Sequence, residues 1–358
     1  MKRTFFWAVA FASGAALAPL AAQDTGPLSI HGYLNQAYAT ASGGDILGIP
    51  EHGTTDYRTA ALLFRYALSG SDNLTVEISH RRLGDDIVTS GEPELRLDWA
   101  FYGHQFGNFN VRVGRIPIPS GIYNEVRNVG TVLPFYRAPF NFYLEGAFTS
   151  EVVDGVMGGY QTGGNGSWGV DASAFYGGWS MVQRATSGGV VIASPSRVEN
   201  GTGGQAWLLT PIDGLRVGAG ASRYTVLNGS VLPGVWKEWH GSVDGSFTRV
   251  TVRGEYRKIS TPQITYWTYY GYAGLHLTPK LSLHTQLDYA DLAAPPLTRF
   301  SYNDDQAVGV SYAFRSNLVV KAEGHTSTGY WTDNPVREIG IDPPAKVKYL
   351  ILSLATSF

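Results

Sequence analysis

From Ile30 to the C-terminus, nearly every segment alternates apolar and polar residues with period two, and none keeps a helical stripe for long. Leu95, Leu97, Trp99 and Phe101 alternate with Arg96, Asp98, Ala100 and Tyr102. Leu281, Leu283, Thr285, Leu287 and Tyr289 alternate with Ser282, His284, Gln286 and Asp288, and Leu350, Leu352 and Leu354 lead to Phe358. In a strand this pattern separates two faces. A soluble sandwich would show it too. The long series of such segments, joined alternately by short and long connections, predicts a closed membrane barrel instead.

The short connections carry the Gly, Asn, Asp or Pro that tight turns need, as at Ser69–Asn73, Phe106–Asn108, Gly163–Gly166, Pro211–Gly214, Thr278–Lys280 and Arg315–Asn317, with a weaker one near Gly245-Ser246. Longer polar stretches lie near 41–56, 84–92, 117–150, 178–201, 225–235, 260–263, 291–301 and 325–345. About sixteen strands are predicted between them, near 28–40, 57–69, 74–83, 93–105, 109–116, 151–161, 168–177, 203–210, 214–224, 236–245, 248–259, 264–277, 281–290, 302–314, 317–324 and 346–358. The fold class is therefore all-β: a transmembrane antiparallel barrel with short periplasmic turns and long extracellular loops. Closure also meets an energetic demand, since an open edge in lipid would leave backbone groups unpaired at several kcal/mol each. The rings of Tyr266, Trp267, Tyr269, Tyr270 and Tyr272 suit a girdle at a membrane interface, the alternative being a packed aromatic core.

Composition supports this picture. Only 16% of residues are charged while 13% are aromatic, and after the N-terminal segment no apolar run is long enough for a membrane helix. With no Cys there are no disulfides and no thiolate metal sites. The N-terminus reads as an export signal: basic Lys2 and Arg3, apolar Phe5 to Leu20, then Ala21-Ala22, with cleavage expected after Ala22. Residues 1–22 are then a signal peptide and 23–358 a single barrel domain. The mature chain carries 25 basic against 29 acidic residues, a net charge of −4 that argues for no nucleic-acid partner.

The last strand, Lys346 to Phe358, resembles the C-terminal signature of outer-membrane barrels, which end in an aromatic after alternating apolar residues. That resemblance implies Phe358 as an assembly signal read by the barrel-assembly machinery; Thr356 departs mildly from the alternation. The stretch Val111-Arg-Val-Gly-Arg-Ile-Pro-Ile-Pro-Ser-Gly to Arg127, continuing through Pro134-Phe-Tyr-Arg-Ala-Pro139 to Glu145, is similar to Gram-negative porins. There a strand ending in Gly-Arg precedes a third loop that folds into the barrel and narrows the channel. The resemblance implies an outer-membrane passive channel for small hydrophilic solutes or ions, surrounded by lipid and lipopolysaccharide and assembled as a homotrimer. A barrel with a plugged lumen, acting as a rim enzyme or an adhesin, is the alternative that the long outer loops leave open.

Segment 117–150 is the longest connection and holds Ile, Val, Leu, Phe and Tyr, so it is expected to pack inward. The expected constriction set is Arg96, Arg112, Arg115, Glu125, Arg127, Arg137 and Glu145. Arg115 shares the parity of Val111 and Val113, which points it at lipid unless the strand end or a bulge relieves it. Strand parity also directs Arg65, Arg216, Arg253, Arg257, Lys321, Glu77, Asp98, Asp171, Asp288, Glu255 and Glu323 to the pore wall. A mixed wall favours water and ions, whereas lumenal ion pairing would make many of these charges structural.

No enzyme, cofactor or metal site is expected. There is no His-Glu-x-x-His and no P-loop. Gly164-x-Gly166-x-x-Gly169 matches a dinucleotide fingerprint in letters only, since it falls in a turn with no helix after it. The adjacent acids Asp85-Asp86 and Asp304-Asp305 would face opposite ways in a strand.

Overall fold

Sixteen antiparallel strands close into one circle in the computed structural model, which describes residues 23–91, 94–144, 151–164 and 166–358. In chain order they are β1 (Leu28–Ser42), β2 (Thr54–Ala67), β3 (Asp72–Leu83), β4 (Arg96–Phe106), β5 (Phe109–Pro117), β6 (Val152–Thr162), β7 (Gly169–Ser187) and β8 (Val190–Leu209). The second half comprises β9 (Leu215–Val226), β10 (Gly234–Ser246), β11 (Val250–Ser260), β12 (Thr265–His276), β13 (Leu281–Ala294), β14 (Leu297–Arg315), β15 (Leu318–Gly329) and β16 (Ala345–Ser357). Each pairs with its neighbours in sequence, and β16 pairs with β1 from Lys348↔Ser42 to Ser357↔Tyr33. Beyond the ladder, Gly32 N donates to Phe358 O and Phe358 N to Gly32 O, both at 3.0 Å. Residues 1–22, where the signal peptide is expected, lie outside the described residues.

The two faces follow the alternation. Leu34, Leu62, Val113, Val156, Trp239, Leu287, Val308 and Leu350 project outward and are exposed, as a lipid-facing surface requires. Inward positions mix polar and small residues with buried aromatics such as Tyr57, Phe175, Trp207 and Tyr349, and many are covered by the third loop.

Four features depart from the sequence expectation. Stretch 178–201 is not a loop: β7 and β8 stay paired from Gly169↔Leu209 to Ser187↔Val190 and turn at Gly188-Gly189, both at positive φ (60° and 73°). Residues 291–301 likewise belong mostly to strands, which turn at Pro295-Pro296. The register of β3 and β4 slips between Ile78↔Leu97 and Glu77↔Trp99, so a bulge at Asp98 reverses the parity of the remainder of β4. Trp99 and Phe101 therefore face the lumen and Tyr102 faces out, opposite to the unbroken alternation. The aromatic stretch of β12 divides: Tyr266, Tyr270 and Tyr272 are buried inside, and only Trp267 and Tyr269 lie on the outer face. Those three tyrosines make a packed interior, not a girdle, because each hydroxyl finds a partner inside: Tyr266 donates to Asn141 O of the loop (3.3 Å), Tyr270 donates to Glu255 (2.7 Å) and Tyr272 is hydrogen-bonded to His284 (2.8 Å) on the wall.

At the long-loop end, Asp45–Ile46 pairs with Thr332–Asn334 in a small second sheet. Arg184 of β7 reaches across to Thr332 O (3.0 Å) and Asp333 (2.9 Å), and Gly48 N donates to Asp333 at 2.7 Å.

Candidate pore constriction

The third loop joins β5 to β6, and its contacts are with side chains that point into the barrel. Gly121 N donates to Gln205 on β8 (2.5 Å), and Ile122 N donates to Glu255 on β11 (3.1 Å). Glu255 also accepts from Tyr143 (2.5 Å), Ser242 (2.5 Å) and Tyr270 (2.7 Å). Thr59 on β2 donates to Asn128 O at 3.3 Å, and Thr131 meets Ser357 on β16 at 3.2 Å. Lys321 on β15 donates to Leu133 O (2.6 Å) and Phe135 O (3.0 Å), while Tyr136 N donates to Glu323 (2.8 Å). A single helical turn, Phe140–Tyr143, then brings Asn141 to Asp288 on β13, with N–Oδ2 at 2.9 Å and Nδ2–O at 3.0 Å. The loop thus crosses the lumen and returns.

Backbone groups of an irregular segment at this depth need partners. The inward charges provide them, which decides what most of those charges do. Arg257 donates to Phe142 O (2.9 Å) and Ser120 Oγ (2.5 Å), and Arg253 donates to Tyr123 Oη (2.8 Å) and Asp244 (2.9 Å). Arg253, Arg257, Lys321 and Asp288 therefore fasten the loop instead of lining open water. Arg216 is held by Asp244 at 2.9 Å and lies over the Trp207 ring.

The constriction residues expected from sequence separate into groups. Arg127 is buried and pairs with Glu151 at 3.2 Å; Arg96 pairs with Asp98 at 2.9 Å and with Glu151 at 3.4 Å. Arg137 donates to Leu47 O of the first loop at 3.1 Å and lies over the Tyr57 ring. Arg112, Arg65 and Glu125 line a water-accessible vestibule of about 1010 Å³ at the short-turn end, bounded by β1–β6. Asp171 points inward, near enough to act electrostatically on Glu125. Arg115 does not join them. It pairs in register with Ala100 and Asp154 on the outer face and binds the Asp154 carboxylate at 3.0 Å, so an ion pair at the strand end relieves it there. Glu145 lies outside the described residues. Phe358 stacks its ring over Gly32, where a Cβ would come within 2.7 Å.

Glu151, taken from sequence as the first residue of a strand, is the hub that sequence reasoning missed. Arg81 joins Arg127 and Arg96 on it, at 2.9 Å. Burial alone would raise its carboxyl; the three guanidiniums outweigh that and hold it well below the usual carboxylate range. Glu125 behaves oppositely. The enclosing wall pushes its carboxyl up, Arg112 works against this and Asp171 adds to it.

The anchoring is uneven. Most of the loop's hydrogen bonds go to β8 and β10–β16; on the other side it is held by Thr59 of β2 and, through Glu151, by Arg81 and Arg96, and the open space lies beside β1–β6.

Three solved outer-membrane proteins share this architecture. The outer-membrane channel DcaP of Acinetobacter baumannii aligns with TM-score 0.62 at 11% identity, over 92% of this chain and 97% of that one. An anion-selective porin from Comamonas acidovorans aligns with TM-score 0.59 at 13% identity, over 92% and 99%. The trimer form of OmpT of Vibrio cholerae aligns with TM-score 0.56 at 13% identity, over 92% and 99%. The likeness is one of fold. No family model and no curated protein matches the sequence.

Proposed function

We propose that the chain is a passive diffusion channel of the bacterial outer membrane for small hydrophilic solutes and ions. Its passage runs along the β1–β6 wall, past the third loop. One observation carries this reading: the loop is fastened mostly to the opposite wall and leaves a vestibule whose cations, Arg65 and Arg112, make no ion pair among the described residues. Sixteen strands enclose more space than side chains alone fill, and the outward apolar face suits lipid. The short turns then face the periplasm and the long loops the exterior, with lipopolysaccharide around the rim and Phe358 as the signal to the assembly machinery. A homotrimer fits the fold, for which one structural neighbour has a trimer form. This reading assigns the protein no catalytic role.

A plugged barrel serving adhesion is favoured by one feature: Trp331 stacks edge-on against Phe140 (5.1 Å) and joins Ile46, Leu47 and Ile49 in a cluster above the loop. Planar-bilayer recording separates the two. Folded protein, shown by its heat-dependent gel mobility, gives stepwise open channels if the channel reading holds; folded protein without conductance overturns it in favour of the plug.

A further inference from the structure

Between the third loop and the β1–β4 wall lies a second cavity, of about 280 Å³. It shares Leu63, Trp99 and Glu125 with the vestibule and so adjoins the passage. Much of its lining is apolar: Ala61, Leu63, Val126, Val129 and Trp99. Its polar lining also holds Arg127, His31, Tyr33 and Ser357, but carboxylates outnumber the cations: Glu77, Asp98, Glu125 and Glu151 all border it. Glu77 is only 6% exposed and makes no hydrogen bond or ion pair among the described residues. Asp98, inward at the bulge, has one guanidinium, that of Arg96. Asn128 Oδ1 is buried without a donor. Among the described residues Arg96 answers Asp98 but no cation pairs with Glu77, while Arg81, Arg96 and Arg127 all meet Glu151.

A buried carboxylate without a donor is costly, and so is a buried amide oxygen left unpaired. A hydrated inorganic cation would lose water against the apolar lining. A primary ammonium on an apolar body brings three N–H donors and no acceptor, which matches three acceptors beside an aromatic face. We propose that this cavity binds small organic ammonium ions, with the ammonium held by Glu77, Asp98 and Asn128 and the apolar body against Trp99 and Leu63. The proposal rests on the channel reading for the route by which a solute arrives, and its chemistry is tested apart from conduction.

The probe is benzylammonium, with benzyl alcohol as its neutral analogue, titrated calorimetrically into folded, detergent-solubilised protein. Benzylammonium is expected to bind at least about tenfold more tightly than the alcohol, a difference of about 1.4 kcal/mol, since charge-assisted hydrogen bonds are stronger than neutral ones. Glu77→Gln should weaken the ammonium by about tenfold or more and leave the alcohol unchanged, whereas Trp99→Ala should weaken both. Asn128→Leu, in the loop and not the barrel wall, tests the same pocket if Glu77→Gln fails to fold. No binding of benzylammonium, equal binding of the alcohol, or an unchanged ammonium affinity in the folded variant overturns the proposal. Binding in protein that never conducts supports the pocket and overturns the channel; conductance without binding overturns the pocket alone.

Discussion

Arg127, within the third loop, and Glu151, the residue that ends it, form a buried ion pair of 3.2 Å that closes the loop upon itself. Arg81 and Arg96 meet the same carboxylate from the barrel wall, so one acid ties the loop to β3 and β4.

The acid should therefore matter more than any one base. Glu151→Gln leaves three guanidiniums clustered without a counter-charge, and breaking a buried pair by removing one partner costs about 3–5 kcal/mol. Arg127→Met leaves Glu151 with two arginines and should cost less. The check is the temperature at which each variant loses its folded gel mobility. The order expected is wild type, Arg127→Met, Glu151→Gln, and the reverse order of the two variants would refute the hub.

The vestibule cations should set ion preference. Replacing Arg65 and Arg112 by Glu changes the local charge by −4 where confinement weakens screening, and should move the reversal potential in a salt gradient toward cations. Arg216→Glu serves as comparison. That arginine is already committed to Asp244, and its reversal should shift selectivity less.

Gly121 holds the loop where no side chain fits. Its φ is +68°, and a Cβ would sit 2.6 Å from Tyr143 Oη and 2.7 Å from Glu255 Oε1. Gly121→Ala should cost about 1–3 kcal/mol in strain, loosen the loop and raise or scatter the unit conductance. Gly188→Ala, at φ +60° with open space around it, should leave conductance unchanged.

Acid should favour the closed arrangement of the first and last long loops. Burial pushes the Asp333 carboxyl up to about 6; Asp86 adds to this, while Arg184, Gly48 N and Arg137 oppose it. A carboxyl whose pKa is higher in the closed arrangement than in water holds its proton more tightly when closed. Closure is therefore strengthened as pH falls from about 6 towards the ordinary value of about 4. Single-channel records should show more closed time across that window, and Asp333→Asn should flatten the dependence. An unchanged pH profile in the variant would exclude Asp333 as the sensor.

The strands were legible because lipid outside and water inside impose one two-faced pattern on every segment. Boundaries in sequence fall within a few residues of the observed ones wherever that pattern runs unbroken, as in β13 and β16. It fails where the two solvents cease to differ. The β7–β8 hairpin loses the alternation toward its tip, where Val190, Val191 and Ile192 run together opposite Ser187, Thr186 and Ala185, so 178–201 reads as a loop. It fails again where one extra residue enters a strand: the bulge at Asp98 moves Trp99 from the lipid side to the lumen, and period two carries no mark of it. The loop's partners were beyond reach for another reason. Arg257 meets Ser120 across 137 positions of sequence, and only the closed barrel brings them together.

The seam between β16 and β1 has a topological corollary. Phe358 is hydrogen-bonded to Gly32, so the end of β16 and the start of β1 are neighbours on one rim and the hydrogen-bond circuit has no privileged starting point. The order in which the strands are strung together is then separable from the barrel they make. A circular permutant that bridges Phe358 to the start of β1 through a short linker, and begins instead between Gly188 and Gly189 at the exposed tip of the longest hairpin, keeps every inter-strand ladder.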